Sequence, residues 1–474
     1  MRLSALLGLS LVGLMSASAF ADWPTHRGNA ARTGHADNIP GPKSGKVLWV
    51  HKARDQFVAS VVPGPKTLYV TGLGAFNTAA LHALSLEPQA QQRVMWSKLP
   101  PSLKLPVVSS PALAEGKLVF GDGMHQTDGA SLHCLAADTG MSLWRLSLPG
   151  QLVHIEGAPC IAKGRVYVGG GHAGVVCVDL NRVTLAGQEQ TLAAAQAVID
   201  KRWKELAVQY EIDKKKDPDF AIPPSDDALP KPAPKVLWQK GQGAWHVDAP
   251  LALTADSVLA ASAYLDHEKS GERALVCLSA DTGTLRWKTP LALNPWAGAT
   301  IADNTAAGTA IVGGSSIRFD PKEIPSARGD VTAINLANGQ VRWHVEVAGG
   351  VVSPIAVQTG LAVLTSTDGK VRALNVADGK PRWEHIGGAA FFAGPAIAGD
   401  VVYVADLNGI VQALSLADGR LLWKLDLAAD PAIAASGMIY GSPVVQSGRL
   451  YLATCNLDGA QAAQNTAVIC IGEK

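Results

Sequence analysis

Apolar and polar positions along this chain follow one short unit that recurs over most of its length. The clearest copy is Ala413-Leu414-Ser415-Leu416-Ala417-Asp418-Gly419-Arg420-Leu421-Leu422-Trp423. A strand of small and apolar residues runs into Asp-Gly, the signal of a two-residue hairpin turn, and a second strand ends in tryptophan. One small sheet cannot cover so large a side chain, so each tryptophan needs a neighbouring sheet. Four further copies lead from Cys134 to Trp144, Cys277 to Trp287, Ala333 to Trp343 and Ala373 to Trp383. Two looser copies lead from Ala83 to Trp96 through a longer turn and from Cys177 to Trp238 after a long interruption. Trp49 lacks a preceding strand, and the final apolar strand through Cys470 lacks a following tryptophan.

Successive repeat tryptophans lie 47, 48, 94, 49, 56, 40 and 40 residues apart, which is the period of a four-stranded propeller blade. Each unit reads as a first strand with Ser-Pro or Ala-Pro (Ser110-Pro111, Ala158-Pro159, Ala249-Pro250), a short β-rich second strand, a hairpin, and the two strands of the unit above. The pattern predicts an all-β, eight-bladed β-propeller of four-stranded antiparallel blades with one helical insertion. The N-terminal strand around Val47-Leu48-Trp49 should complete the blade begun by residues 438–474, which leaves no open edge.

The doubled spacing holds an insertion in the third blade, over residues 184–235. Leu192, Ala195, Ile199, Trp203, Leu206 and Tyr210 recur at a mean step of about 3.6, the period of an amphipathic helix. Six prolines follow between Pro218 and Pro234, so the return to the ring is extended. The stripe either packs on the propeller's own flank or docks another chain, with self-packing favoured.

Residues 1–21 have the form of an export signal: Arg2, an apolar run, and Ala19-Phe20-Ala21. The expectation is an exported protein, periplasmic or extracellular, with a mature region of 22–474 and no membrane anchor. Removal of Arg2 balances Lys+Arg and Asp+Glu at 40 each, from 41 and 40, which argues against nucleic acid as a partner. A monomer is expected. Cys134, Cys177, Cys277 and Cys470 occupy the slot that holds alanine in the other units, so these thiols read as small buried hydrophobes rather than disulfides.

The Trp-docking copies, with Thr139-Gly140 and Thr282-Gly283 in register, resemble the pyrroloquinoline-quinone-like (PQQ-like) β-propeller repeat family. The Trp23-Pro24-x-x-Arg27-Gly28 leader is similar to that of secreted members. Two departures are Cys for the first Ala and Ala136 or Ser279 for the motif's Asp. The resemblance implies a shared fold and leaves two branches, quinoprotein dehydrogenases and non-enzymatic scaffolds such as the outer-membrane assembly propeller. It implies Trp49, Trp96, Trp144, Trp238, Trp287, Trp343, Trp383 and Trp423 as blade-docking residues. The adjacent cysteine pair of the alcohol dehydrogenases and Cys-x-x-Cys-His are both absent from the sequence. No cofactor is therefore expected, with PQQ and calcium as the alternative.

Propellers take ligands at the channel mouth, lined by first-strand starts and by the hairpins between second and third strands. In this chain those segments carry His125, His154, Glu156, His172, Trp245, His246, Asp248, Trp296 and Arg318. His154 and Glu156 share one face of an extended segment, as do His246 and Asp248. The reading is a non-catalytic binding or scaffold module for a protein or small molecule at the mouth. A metal-binding protein or metal-dependent enzyme using these histidines is a further alternative, although the bland reading of the cluster is a polar channel wall, and no catalytic or metal ligand residue is assigned.

Overall fold

A computed structural model of the protein describes residues 23–35, 39–125, 127, 129–302, 308–435, 437–457, 462 and 464–473. The predicted export signal lies outside the described residues.

Eight sheets form the ring; seven run from inner to outer strand in chain order, the third with a fifth strand, Gln188–Thr191, paired beside its outer strand on Val175–Leu185. They cover residues 62–98, 112–147, 160–240, 252–290, 299–348, 356–386 and 396–426; the eighth joins 444–471 to 47–53. The closing strand Val47–Ala53 pairs antiparallel with Thr466–Ile471, as the two incomplete ends of the repeat predict. Inner strands are short and largely buried, because both their faces meet neighbouring blades. Outer strands alternate: Leu421–Asp426 buries every other residue only in part. The Ser-Pro and Ala-Pro pairs precede the first strands rather than lying in them, since Ala112–Ala114 starts after Pro111. Proline has no N–H for the ladder.

The register explains the small slot. Ala83, Cys134, Cys177, Cys277, Ala333, Ala373, Ala413 and Cys470 each stand directly opposite the repeat tryptophan of their own blade. A small residue there leaves room for an indole. All six cysteines are buried, and none is joined in a disulfide.

Seven indoles then reach into the next blade. The Nε1–H groups of Trp96, Trp144, Trp238, Trp287, Trp343 and Trp383 donate to the carbonyls of Ala137, Leu180, Ala280, Leu336, Val376 and Leu416, at 2.8–3.2 Å. Trp423 donates to Pro42 at 3.2 Å, in the segment leading to the closing strand. The turn glycine lies under the ring: a Cβ on Gly419 (φ +72) would sit 2.5 Å from Trp383. One requirement, a left-handed residue without a side chain, thus serves the turn and the seam together.

The turn itself differs from the predicted two-residue hairpin. Leu416–Gly419 form a four-residue turn, closed by Gly419 N–H donating to the Ser415 carbonyl at 2.9 Å, with a bulge between Ala413 and Leu414. Only Gly419 is left-handed; Asp418 accepts from the Arg420 N–H at 3.2 Å. The Trp49 seam also differs. Its long turn has no glycine to lie flat on, the Arg93 guanidinium covers the ring at 4.3 Å, and the buried Nε1–H has no partner.

The insertion helix spans Leu192–Lys216, capped by Thr191. Its first half packs on the flank of its own blade: Leu192 and Ala195 join the core around Val178, Leu180 and Val183. Trp203, Leu206 and Tyr210 on the same stripe are only half-buried. The proline-rich return is tied to two other blades, with Lys98 and Asp226 in an ion pair at 2.6 Å and the Arg145 N–H on the Pro232 carbonyl at 3.0 Å.

Candidate functional site at the channel mouth

The leader, residues 23–35, is not a loose polar tail. It crosses the channel and takes up the open edges of the inner strands. Carbonyls of Pro24, Ala30, Ala31, Thr33 and Gly34 accept from the N–H groups of Leu113, Leu253, Ile301, Val357 and Ile397, one in each of five blades. Arg32 is 1% exposed. Its guanidinium donates to the carbonyls of Leu251, His26 and Pro159 at 2.7–3.0 Å and to Thr25 Oγ1 at 2.8 Å. Arg27 donates to the Pro395 carbonyl at 2.6 Å. Burial, with Arg32 beside it, lowers the Arg27 pKa to about 9. Burial and both arginines hold His26 well below its usual range, so its imidazole stays neutral, with neither nitrogen hydrogen-bonded.

Above this floor opens a cavity of about 600 Å³. His26 lies at its base. Val108, Phe319, Val352, Phe392 and Tyr440 give it an apolar wall, and His125, Glu156, Asp248, Trp296 and Arg318 a polar one. The polar wall is a connected network. Arg318 bonds Glu156 and Asp248, the latter at 2.8 Å, and lies over the Trp296 ring at 4.8 Å. Asp248 also accepts from His154 Nε2 and His246 Nε2, both at 2.9 Å. A second carboxylate, Glu268, gathers His125 at 3.0 Å, His172 at 3.3 Å and His267 at 3.4 Å, each through Nε2.

Burial pushes the Asp248 carboxyl up, but the hydrogen bonds from His154 and His246 and the charge of Arg318 outweigh it and hold it well below the usual range. Burial raises Glu156, opposed by Arg318, and the net shift is upward. Burial lowers His154, yet the bond to Asp248 reverses the sign and leaves it raised. Burial and Arg318 lower His125. Burial raises Glu268, but His172 and His125 leave it below its usual value. Burial lowers Arg318, and its two carboxylate partners more than restore it.

The fold therefore gathers His125, His154, Glu156, His172, His246, Asp248, Trp296 and Arg318 at one side of the mouth. Trp245 is the exception. It is packed in the core between blades three and four, over Gly241, with Nε1–H on Glu272 at 2.7 Å. The sequence reading passed over His267 and Glu268. They stand on the hairpin between the second and third strands of blade four, Ser257–Leu265 and Ser270–Ser279. The same rule that selects His125 and His172 selects that hairpin. It also passed over the leader, whose partners are backbone carbonyls distant in sequence.

Among the described residues no helix is long and apolar enough to cross a membrane. No curated protein matches the chain. Among solved structures, BamB from Moraxella catarrhalis has a TM-score of 0.54 at 14% identity, over 89% of this chain and 97% of that one. The quinohemoprotein alcohol dehydrogenase from Comamonas testosteroni has 0.62 at 15%, over 96% and 81%. A europium-containing methanol dehydrogenase has 0.63 at 15%, over 96% and 98%. At such identities these likenesses speak for the fold alone. The family model described as outer membrane protein assembly factor BamB matches residues 40–201 and 323–468, well over half of the chain. The chain belongs to this family of PQQ-like β-propellers.

Proposed function

We propose that this protein is an exported, non-catalytic binding module that takes a small ligand at the channel mouth. The carrying observation is the 600 Å³ cavity, closed below by the leader and open above, with an apolar wall facing a preorganised polar one. Pockets of this size and mixed lining suit a small molecule. Trp296 lines the cavity beneath the Arg318 guanidinium, and its buried Nε1–H has no partner. Residues 1–21 supply export and residues 22–474 the propeller, acting as a monomer, and the description of the matched family model as an assembly factor accords with a binding role.

The mouth fits the quinone poorly. That cofactor carries three carboxylates and needs free cationic partners. Both anions beside Arg318 already engage its guanidinium, and Glu268 adds a third carboxylate nearby. Every cysteine is buried, and no two adjoin in the sequence to cover a flat ring at the mouth.

A thermal-shift screen of small molecules, run with a chelator present, tests the reading against Ala297→Trp, which fills the cavity. Compounds that raise the melting temperature of the wild type and not of the variant are expected. If no compound distinguishes the two, or if the protein oxidises an alcohol or sugar with PQQ and a dye acceptor, the reading fails.

A further inference from the structure

We propose that the polar side of the mouth is a binding site for one divalent transition-metal ion, held by His125, His154, His246 and Asp248. It rests on the binding reading only in placing the site at the mouth.

Each of the four residues presents a ligand atom, and all four atoms lie within 4.8 Å of one another. A tetrahedral ion with bonds near 2 Å would draw such atoms to about 3.3 Å apart. That asks for a contraction within the reach of side-chain torsions. Three of the four are imidazoles, so the set suits borderline ions such as zinc, nickel or cobalt over calcium or magnesium.

Two independent features point to a ligand. His154 and His246 are 2% and 0% exposed, and the Nδ1 atoms of both, and of His125, are buried without a partner. His125 turns Nε2 to Glu268 and so keeps a lone pair on its buried Nδ1, whereas His154 and His246 meet Asp248 through Nε2, where an ion shared with Asp248 would take the place of the proton. The second feature is charge. Arg318 pairs with both Glu156 and Asp248, and the ion pairs of Glu268 are all with imidazoles, so carboxylates outnumber guanidinium around the four ligands. A dication balances that excess. Glu268, bonded to His125 and His172, stands where an outer carboxylate orients metal-bound imidazoles.

The backbone is shaped for the approach. Gly171 is left-handed at φ +56, and a Cβ there would lie 2.5 Å from His154 Nε2. Glycine at position 171 thereby lets His154 reach the cluster.

Zinc is the probe, titrated calorimetrically into chelator-treated full-length mature protein at neutral pH. One zinc per chain with Kd below about 1 µM is expected, and cobalt should give the visible spectrum of a nitrogen- and oxygen-bound tetrahedral ion. His125→Ala, at the half-buried edge, should keep the melting profile and lose at least about 100-fold in affinity. Gly171→Ala, which crowds His154 and removes no ligand atom, should lose about 10- to 100-fold. Wild-type binding weaker than about 100 µM, or equal binding by wild type and His125→Ala, overturns the site. Tight zinc binding beside a silent compound screen would fault the cavity reading alone. Failed zinc binding beside a responsive screen would fault the ion site alone.

Discussion

The floor and the rim of the channel solve opposite electrostatic problems. At the floor, Arg27 and Arg32 are buried with no carboxylate among their hydrogen-bond partners; carbonyls of the ring and leader and the Thr25 hydroxyl take up Arg32, and one ring carbonyl takes Arg27. At the rim, two carboxylate hubs are satisfied by imidazoles and one guanidinium. The floor's partners are mostly backbone carbonyls, of the ring and of the leader bonded to it. The rim's partners are side chains, on hairpins and on the segments that lead into first strands. The difference teaches that buried charge alone does not mark a binding site: the floor is tied to the backbone of the ring, and the rim chiefly to other side chains.

Arg32→Ala should break that contrast most severely. It strips carbonyls from two blades and the leader of their donor and leaves a void, for a loss of about 3–5 kcal/mol in urea unfolding. Arg318→Ala should cost about 1–3 kcal/mol, because Asp248 keeps its two imidazole donors and the rim is partly open to water. A greater loss at Arg318 than at Arg32 would reverse the ranking of floor and rim.

Acid sharpens the contrast through two histidines of opposite sign. His26 is held well below its unfolded value near 6.5. Below that pH the unfolded chain binds a proton that the native state refuses, so stability falls by up to about 1.4 kcal/mol per pH unit. His154 is raised, so its contribution is fully present below about pH 6.5 and is lost as pH rises through its folded value. His26→Gln should flatten the loss between pH 6.5 and 5, whereas His154→Gln should leave it. Stability curves across that range decide the point. The smallest effect belongs to the insertion: excising residues 185–234 with a short linker should cost about 1–2 kcal/mol and leave the ring folded, because loop closure depends weakly on length. Failure of the excised chain to fold would place the helix in the core.

How legible this was in the sequence depended on distance along the chain. The blades were legible because each tryptophan, its opposing Ala or Cys and its turn glycine lie within one unit. Ring closure followed from Trp49 and Cys470, two loose ends of a known repeat. The turn was misjudged because Asp418-Gly419 marks a left-handed glycine in four-residue and two-residue turns alike. At the rim, position in the unit was enough to find His125, His154, His246 and Asp248. It also admitted Trp245, whose burial depends on Gly241 and the neighbouring blade. The floor was not legible at all: Arg27 and Arg32 look like surface cations until carbonyls from distant blades are placed around them.

Hydrogen exchange followed by mass spectrometry, with and without zinc, tests the division between floor and rim most directly. The amides of Leu113, Leu253, Ile301, Val357 and Ile397, which donate to the leader, should exchange as slowly as the blade strands in both conditions. Segments 122–125, 244–248 and 264–270 should exchange faster and slow only when zinc is added. Leader-bonded amides that exchange at the rate of the rim, or a rim indifferent to zinc, would contradict it.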